Sequence, residues 1–439
     1  MAWREYHEFT KHSVESLRRT RRYLDWANMP DPFRHYEGVP ILDLPADPPM
    51  SGASAIEVLR GRPGSTRAKN GAALLSQLLF YSASISASKR VASTGDVYAL
   101  RVNPSSGNLH PTEFHFCARG LVEWPDGLYH YRASSHMAEQ RGIGDFVGKL
   151  VSSSAPLVFV LTTIAWREAW KYGERAYRYC LHDIGHAWQA LTLAARAIGC
   201  ESFGRGHFLD DTVSQCCLLN YDEWPMLIVA LHGPSIPLKV HDPAETVLFG
   251  GRPNRLSDEQ VSYPQIEKVH AATKIHSEAA IPFAGQPRQN RRGETKLPSP
   301  STADCIFGEV VRARRSALDF RGGNESIPLS KLASLLAVTE EPLFADFAAL
   351  RFVQLYLYVH RVEGSAPGVY RYWPEHSELE KIKQGDRRLI AASLSLGQDL
   401  AANACVASSM IGDLKLLNLR ATGMGAFFDD EVAIPQPKP

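Results

Sequence analysis

Short apolar runs, some alternating with polar residues and some spaced for one helix face, mark out the elements of this chain. Glu113-Phe-His-Phe-Cys117 alternates and predicts a half-buried strand. The unbroken run Leu157-Val-Phe-Val-Leu161 predicts a buried strand, and Met226-Leu-Ile-Val-Ala-Leu231 predicts another. Leu74, Leu75, Leu78 and Leu79 have helical spacing and predict a helix around Ala72–Tyr81 with a core face. A longer amphipathic helix is predicted from about Glu174 to Ala197, with Ile184, Trp188, Leu191 and Ala195 on one stripe and Gly199 as C-cap. Residues 1–50 are polar and then rich in proline (Pro30, Pro32, Pro40, Pro45, Pro48, Pro49). They predict one helix followed by an extended segment wrapped on the body.

Residues 260–300 break the pattern with Pro264, Pro282, Pro287 and the polar run Gln289–Gly293, and read as a linker with little to bury. The pattern then restarts. A helix carries Leu332, Leu335 and Leu336, and Phe352–Tyr358 reads as a strand. Gly368-Val-Tyr-Arg-Tyr372 repeats the Gly-x-Tyr-x-Tyr of Gly127–Tyr131. Gly423-Met-Gly-Ala-Phe-Phe-Asp-Asp-Glu-Val432 matches Gly204-Arg-Gly-His-Phe-Leu-Asp-Asp-Thr-Val213 at six of ten positions. Matches in the same order predict an internal duplication. The expected organisation is an N-terminal extension (1–60), a first module (61–259), a linker (260–300) and a second module (301–439). The second copy is shorter, because Gly368 and Gly423 lie closer together than Gly127 and Gly204 do.

Composition narrows the function. A chain of 439 residues, 44% hydrophobic and 22% charged, is long enough for two ordinary cores. A formal net charge of +1 argues against nucleic acid as a partner. No run reaches signal-peptide or membrane-spanning length, so no membrane partner is expected. The seven cysteines form no CxxC pair, which fits buried thiols in a reducing compartment and a cytoplasmic location.

Chemistry concentrates in Arg101-Val-Asn-Pro-Ser-Ser-Gly-Asn-Leu-His-Pro111, just before the alternating strand. Such a loop offers backbone N–H groups, two hydroxyls and an amide, with glycine allowing close approach of a flat polar ring or a phosphate. The same composition also makes an ordinary turn. His182 and His186 lie four apart on one helix, but no third ligand accompanies them, so packing is the expected role and no metal site is predicted. Asp210-Asp211 and Asp429-Asp430 suit helix caps. No Gly-x-Gly-x-x-Gly fingerprint occurs, so any NAD(P)H would act only as a transient reductant.

Pro-Ser-Ser-Gly-Asn-x-His-Pro followed by a strand resembles the flavin loop of the nitroreductase superfamily, and within it the SagB-type branch of thiazoline/oxazoline dehydrogenases. The resemblance implies an α+β fold: two tandem nitroreductase-like modules forming a pseudo-dimer within one chain. It implies FMN held by Arg101, Pro104, Ser105, Ser106, Gly107, Asn108 and His110 from copy one, and by Arg314, Arg315, Ser316, Thr422, Gly423 and Gly425 from copy two. Leu318 stands where the family carries a further basic residue. The reciprocal site would rest on Ser65, Arg67 and Gly204–Gly206, with Pro63 in place of the leading arginine and no loop, so one FMN per chain is expected. Trp170-Lys-Tyr-Gly-Glu-Arg-Ala-Tyr-Arg-Tyr179 resembles the Lys-Tyr segment of azoline dehydrogenases and makes Lys171 and Tyr172 the implied proton-handling pair. From the residues alone, that stretch reads equally as a helix start with an exposed lysine and packing tyrosines. The implied activity is FMN-dependent oxidation or reduction of a small molecule or peptide heterocycle; flavin storage without turnover and a colourless scaffold are the alternatives.

Overall fold

The structure, a computed structural model, describes residues 2–19, 23–92, 95, 97–240, 245–276, 291–300, 305–347 and 353–412. They fall into two compact units. The first takes its residues from 1–280, 305–314 and 343–347, and the second holds the remaining described residues. Pro264–Thr273, within the expected linker, is a helix that buries Ile266, Val269 and His270 in the first unit.

In the first unit the strands are β1 (Thr112–Ala118), β2 (Gly127–Arg132), β3 (Met137–Ile143), β4 (Leu157–Thr163), β5 (Glu201–Arg205) and β6 (Trp224–His232). They form an antiparallel sheet in the order β3-β2-β1-β4-β6-β5, with Val247–Leu248 and Ile41–Asp43 both added on β3. The helices that matter are α1 (Gly71–Phe80), α2 (Ala165–Tyr172) and α3 (Ala176–Ala197). Asn70 caps α1 by accepting from the Ala73 N–H at 3.0 Å. Helix α3 buries Ile184, Ala187, Trp188, Leu191 and Ala195, which is the expected stripe.

Two expectations are corrected. All seven residues of β1 are buried, not half of them. The polar positions of its alternation, Glu113 and His115, face an interior layer covered by residues 31–36: the Arg34 N–H donates to Glu113, and the Tyr36 hydroxyl to Glu223. The long helix is present as expected, over Ala176–Ala197, but Lys171 and Tyr172 do not lie at its start. Gly173 takes φ +58°, ends α2, and leaves a single 3₁₀ turn before α3. Lys171 and Tyr172 therefore close a helix of their own instead of opening the long one.

The second unit has β7 (Val353–Val359), β8 (Gly368–Trp373), β9 (Glu378–Gln384) and β10 (Val406–Gly412) in the order β9-β8-β7-β10, with Thr295–Lys296 at the edge. Leu332 and Leu336 of the helix Leu329–Ala337 pack on Leu357, Val359, Tyr370, Tyr372 and Leu379.

This is the arrangement of β3-β2-β1-β4, and the likeness extends to single residues. Ala118 faces Gly127 and Leu157, as Val359 faces Gly368 and Val406. A bulge falls between Leu128 and Tyr129, and another between Val369 and Tyr370. The Tyr129 and Tyr370 hydroxyls each donate to a carbonyl four residues back, Pro125 and Ala366, at 2.7 Å. A Cβ at Gly127 would lie 2.2 Å from the Gly142 oxygen, and one at Gly368 would lie 2.5 Å from the Lys383 oxygen. The repeated Gly-x-Tyr thus marks a close backbone approach followed by a hydroxyl tie. Because the obstacle is backbone, Gly127→Ala is expected to cost about 2–3 kcal/mol and lower the melting midpoint by several degrees. A scan that leaves the midpoint unchanged would contradict this packing. Among the described residues no helix is long and apolar enough to cross a membrane.

Candidate active site

The loop between Arg101 and β1 is anchored from below. The Ser105 hydroxyl donates to Asp183 at 2.6 Å, and Ser106 donates to it through both its backbone N–H (3.0 Å) and its hydroxyl (3.0 Å). Ser105 Oγ also accepts from the His110 N–H at 2.8 Å. Asn108 gives its amide hydrogen to the Ala99 oxygen and pairs with His110 Nε2 at 3.0 Å. The two hydroxyls expected to greet a ligand are thus already bonded to α3. What the loop presents is backbone: Gly107, Asn108 and His110 have φ of +60°, +61° and +50°. Asn108 and His110, non-glycine residues held left-handed beside Gly107, carry strain of the kind found at binding sites.

The Lys-Tyr pair meets this loop. A Cβ at Gly107 would lie 2.7 Å from Tyr172 Oη and 3.0 Å from Lys171 Nζ, so the tips of both side chains lie against a glycine whose positive φ disfavours other residues. The Tyr172 ring packs on Tyr179, centroids 4.3 Å apart, and burial pushes its phenol pKa upward. Asp183, on the buried stripe of α3, is raised to about 6 by burial, against the pull of the three serine hydrogen bonds. Glu168, one turn before Lys171 on α2, is fully buried, and neither carboxyl oxygen has a hydrogen-bond partner among the described residues.

Beneath the loop lies a layer of buried charge. Arg167 donates to the His110 carbonyl (2.9 Å), to the Asp31 carbonyl (2.9 Å) and to Glu113. His130 bridges Glu113 and Glu139 at 3.2 and 2.9 Å, and His115 pairs with Glu223 at 2.7 Å. Burial pushes Glu113 upward, but Arg167 and His130 outweigh it and hold the carboxyl at about 2. Burial and the neighbouring Arg101 and Arg167 cations keep His110 neutral.

The remaining sequence candidates are placed as follows. Arg101 is buried, donates to the Pro32 carbonyl and lies 4.8 Å over the Phe33 ring, so it ties down the N-terminal segment. Arg314 reaches the loop's base, donating to the Val102 carbonyl at 3.2 Å, and its charge is felt by His186 on α3. Arg315 and Ser316 fall to the second unit. Thr422, Gly423 and Gly425 lie outside the described residues. Gly204–Gly206 is covered by residues 343–347. Asp346 accepts from the Gly206 and His207 N–H groups at 2.8 and 3.2 Å, and a Cβ on Gly206 would lie 2.7 Å from Phe347. Among the described residues no group of His, Cys, Asp and Glu is arranged for a metal ion. Sequence reading missed Asp183, Glu168 and Arg167. The available signal was a charged residue in line with Ala176, Cys180 and Ala187 on an otherwise apolar stripe.

Residues 89–233 match the model described as the Nitroreductase family. A curated protein of Methanocaldococcus jannaschii, named a putative nitroreductase, is 26% identical over 143 residues, covering 30% of this chain and 71% of that protein. A crystal structure of a putative nitroreductase from Anabaena variabilis superimposes with a TM-score of 0.74 at 22% identity, covering 97% of this chain and 88% of that one. This chain shares its fold. Another, from Ralstonia eutropha, gives a TM-score of 0.35 at 19% identity, over 47% of this chain and 93% of that chain.

Proposed function

We propose that the chain is an FMN-dependent oxidoreductase of the SagB type, with its flavin and substrate meeting at the Gly107 loop. The observation that carries this reading is the convergence of Lys171 Nζ and Tyr172 Oη on a glycine held at positive φ. The residues fit the cofactor on chemical grounds. Asn103 Oδ1 is buried at the loop's entry without a hydrogen-bond partner among the described residues and would accept from a ring N–H. Arg314, at the base of the loop, supplies the positive charge that a phosphate needs. By the resemblance of their sequence alone, Arg315, Ser316, Thr422, Gly423 and Gly425 are further proposed cofactor residues.

Bound FMN would supply the hydride chemistry that no side chain supplies. The protein holds protons beside it. The Tyr172 phenol, raised by burial, keeps its hydrogen near neutral pH and stands as a donor at Oη, with the Lys171 ammonium next to it. Asp183 fixes the loop so that both heads face Gly107. A small molecule or peptide heterocycle is the proposed substrate, with NAD(P)H as a transient reductant. The cover of Gly204–Gly206 by Asp346 and Phe347 favours one FMN per chain.

Fluorescence titration with FMN tests the reading. Wild type should approach one FMN per chain, Arg314→Ala should weaken binding about tenfold or more, and Arg67→Ala should leave it unchanged. Equal losses in the two variants, or no uptake by wild type, would remove the assignment.

A further inference from the structure

We propose that a cavity beside α2 is a second binding site, suited to a small organic cation of the alkylammonium class. The cavity measures about 440 Å³, a size that takes a small molecule, and lies wholly within the first unit. Trp166 lines it from α2, Tyr221 and Trp224 from the turn into β6, and Tyr263 and Glu267 from the head of the helix Pro264–Thr273. Lys171 and Tyr172, which meet the Gly107 loop, are not among its walls.

The rings are the first property that selects a ligand. Trp166 is pinned by its Nε1, which donates to the Ser257 hydroxyl at 2.8 Å, and its ring stacks with Tyr263 at 6.4 Å and 25°. Trp224 donates from Nε1 to the Tyr221 carbonyl at 3.1 Å and stacks on His270 at 3.9 Å. Both indoles are therefore ordered before a ligand arrives, which lowers the entropic cost of binding. Tyr221 stands at the rim, 88% exposed, with a large ring left in water. Aromatic faces carry negative charge density and attract a cation placed over them.

Charge is the second property. The walls include two carboxylates, Asp222 and Glu267, and no lysine or arginine. Asp222 is answered by Arg34 at 2.8 Å. Glu267 accepts from the Ser262 hydroxyl at 2.7 Å, and among the described residues no cation pairs with it. The nearby cations are engaged elsewhere: Lys268 by Glu5 at 2.7 Å, Arg255 by Asp258 at 3.8 Å. Burial lowers the His270 pKa to about 3, so the ring stacked on Trp224 is neutral. An anion would be repelled here, and a neutral apolar molecule would leave the Glu267 charge unanswered. An alkylammonium ion meets both demands, its charge set between the rings and the carboxylate.

Calorimetric titration of the full chain is the test, with choline as the cation and its uncharged carbon isostere, dimethylbutanol, as the control at matched ionic strength. Choline should bind, and the alcohol should bind about tenfold more weakly or worse. Glu267→Gln and Tyr221→Ala change exposed side chains, so both should melt close to wild type, and each should weaken choline binding about threefold to tenfold. Tyr221→Phe should bind choline as wild type does, since the ring face and not the hydroxyl holds the cation. Dimethylbutanol binding as tightly as choline would reduce the cavity to an apolar cleft and overturn the proposal. No heat with choline, or unchanged affinity in both Glu267→Gln and Tyr221→Ala, would overturn it as well. FMN enters none of these readings, so a failure of the flavin assignment would leave the result standing.

Discussion

Arg167→Ala is expected to destabilise the protein by about 3–5 kcal/mol, the usual result of removing one partner from a buried ion pair. Glu113 would be left ionised in a layer that excludes water, with His130, the Arg34 N–H and the nearby Arg101 charge opposing its burial. The loop would lose its tie to the same guanidinium through the His110 carbonyl, and the 31–36 segment its tie through Asp31. Arg167→Lys should recover little, because an ammonium cannot span these acceptors as a planar fork does. The double variant Arg167→Met, Glu113→Gln should regain most of the loss, since it removes the stranded charge as well as its partner. Chemical denaturation measures all three. A loss below about 1 kcal/mol for Arg167→Ala would mean that the pair does not hold this layer together.

The second large effect is one of pH, and two carboxyls contribute with opposite signs. Asp183 is raised from 3.8 to about 6, so the folded state binds its proton more tightly than the unfolded chain does. That contribution is fully present below about pH 4 and is lost as pH rises through about 6. A shift of this size corresponds to about 3 kcal/mol. Glu113 is lowered from 4.5 to about 2, so its contribution, of similar size, is present above about pH 4.5 and disappears as pH falls toward 2. The melting midpoint should therefore climb between pH 6 and 4 and fall below that. Asp183→Asn should reduce the climb to the part that the buried Glu168 carboxyl, also raised by burial, contributes, and keep the acid fall, while weakening the serine anchor of the loop. A variant whose midpoint rises between pH 6 and 4 as steeply as wild type would show that Asp183 does not titrate there.

The strands were legible because their periodicity is local: Leu157–Leu161 and Met226–Leu231 lie inside the strands they announce. The repeated hairpin was legible because Gly-x-Tyr encodes a backbone approach and a hydroxyl tie, both contained within it. The burial of Glu113 and His115 was not legible, since the cover comes from residues about eighty positions upstream in the chain. Nor was the break at Gly173, whose neighbours are ordinary helix formers and whose positive φ leaves no periodic trace. At the site, Gly107, Lys171 and Tyr172 stood out as motifs, and the structure brings them together. Arg167 and Glu168 did not, because a charged pair of residues on a helix looks like solvated surface until its surroundings are known. Asp183 was readable in principle from its place on the stripe of α3.

The segments 305–314 and 343–347 belong to the first unit although more than three hundred residues precede them. Synthesis runs from the N-terminus, so a ribosome that has released residue 280 has not yet made the strip that covers Gly204–Gly206 or the arginine that reaches Val102. The first unit must wait, its sheet formed and one edge open, until residue 347 emerges. Cutting the gene in the polar stretch before residue 300 would make that pause permanent, leaving Trp188 and the backbone of Gly206 exposed to whatever else in the cell presents an edge or an apolar face.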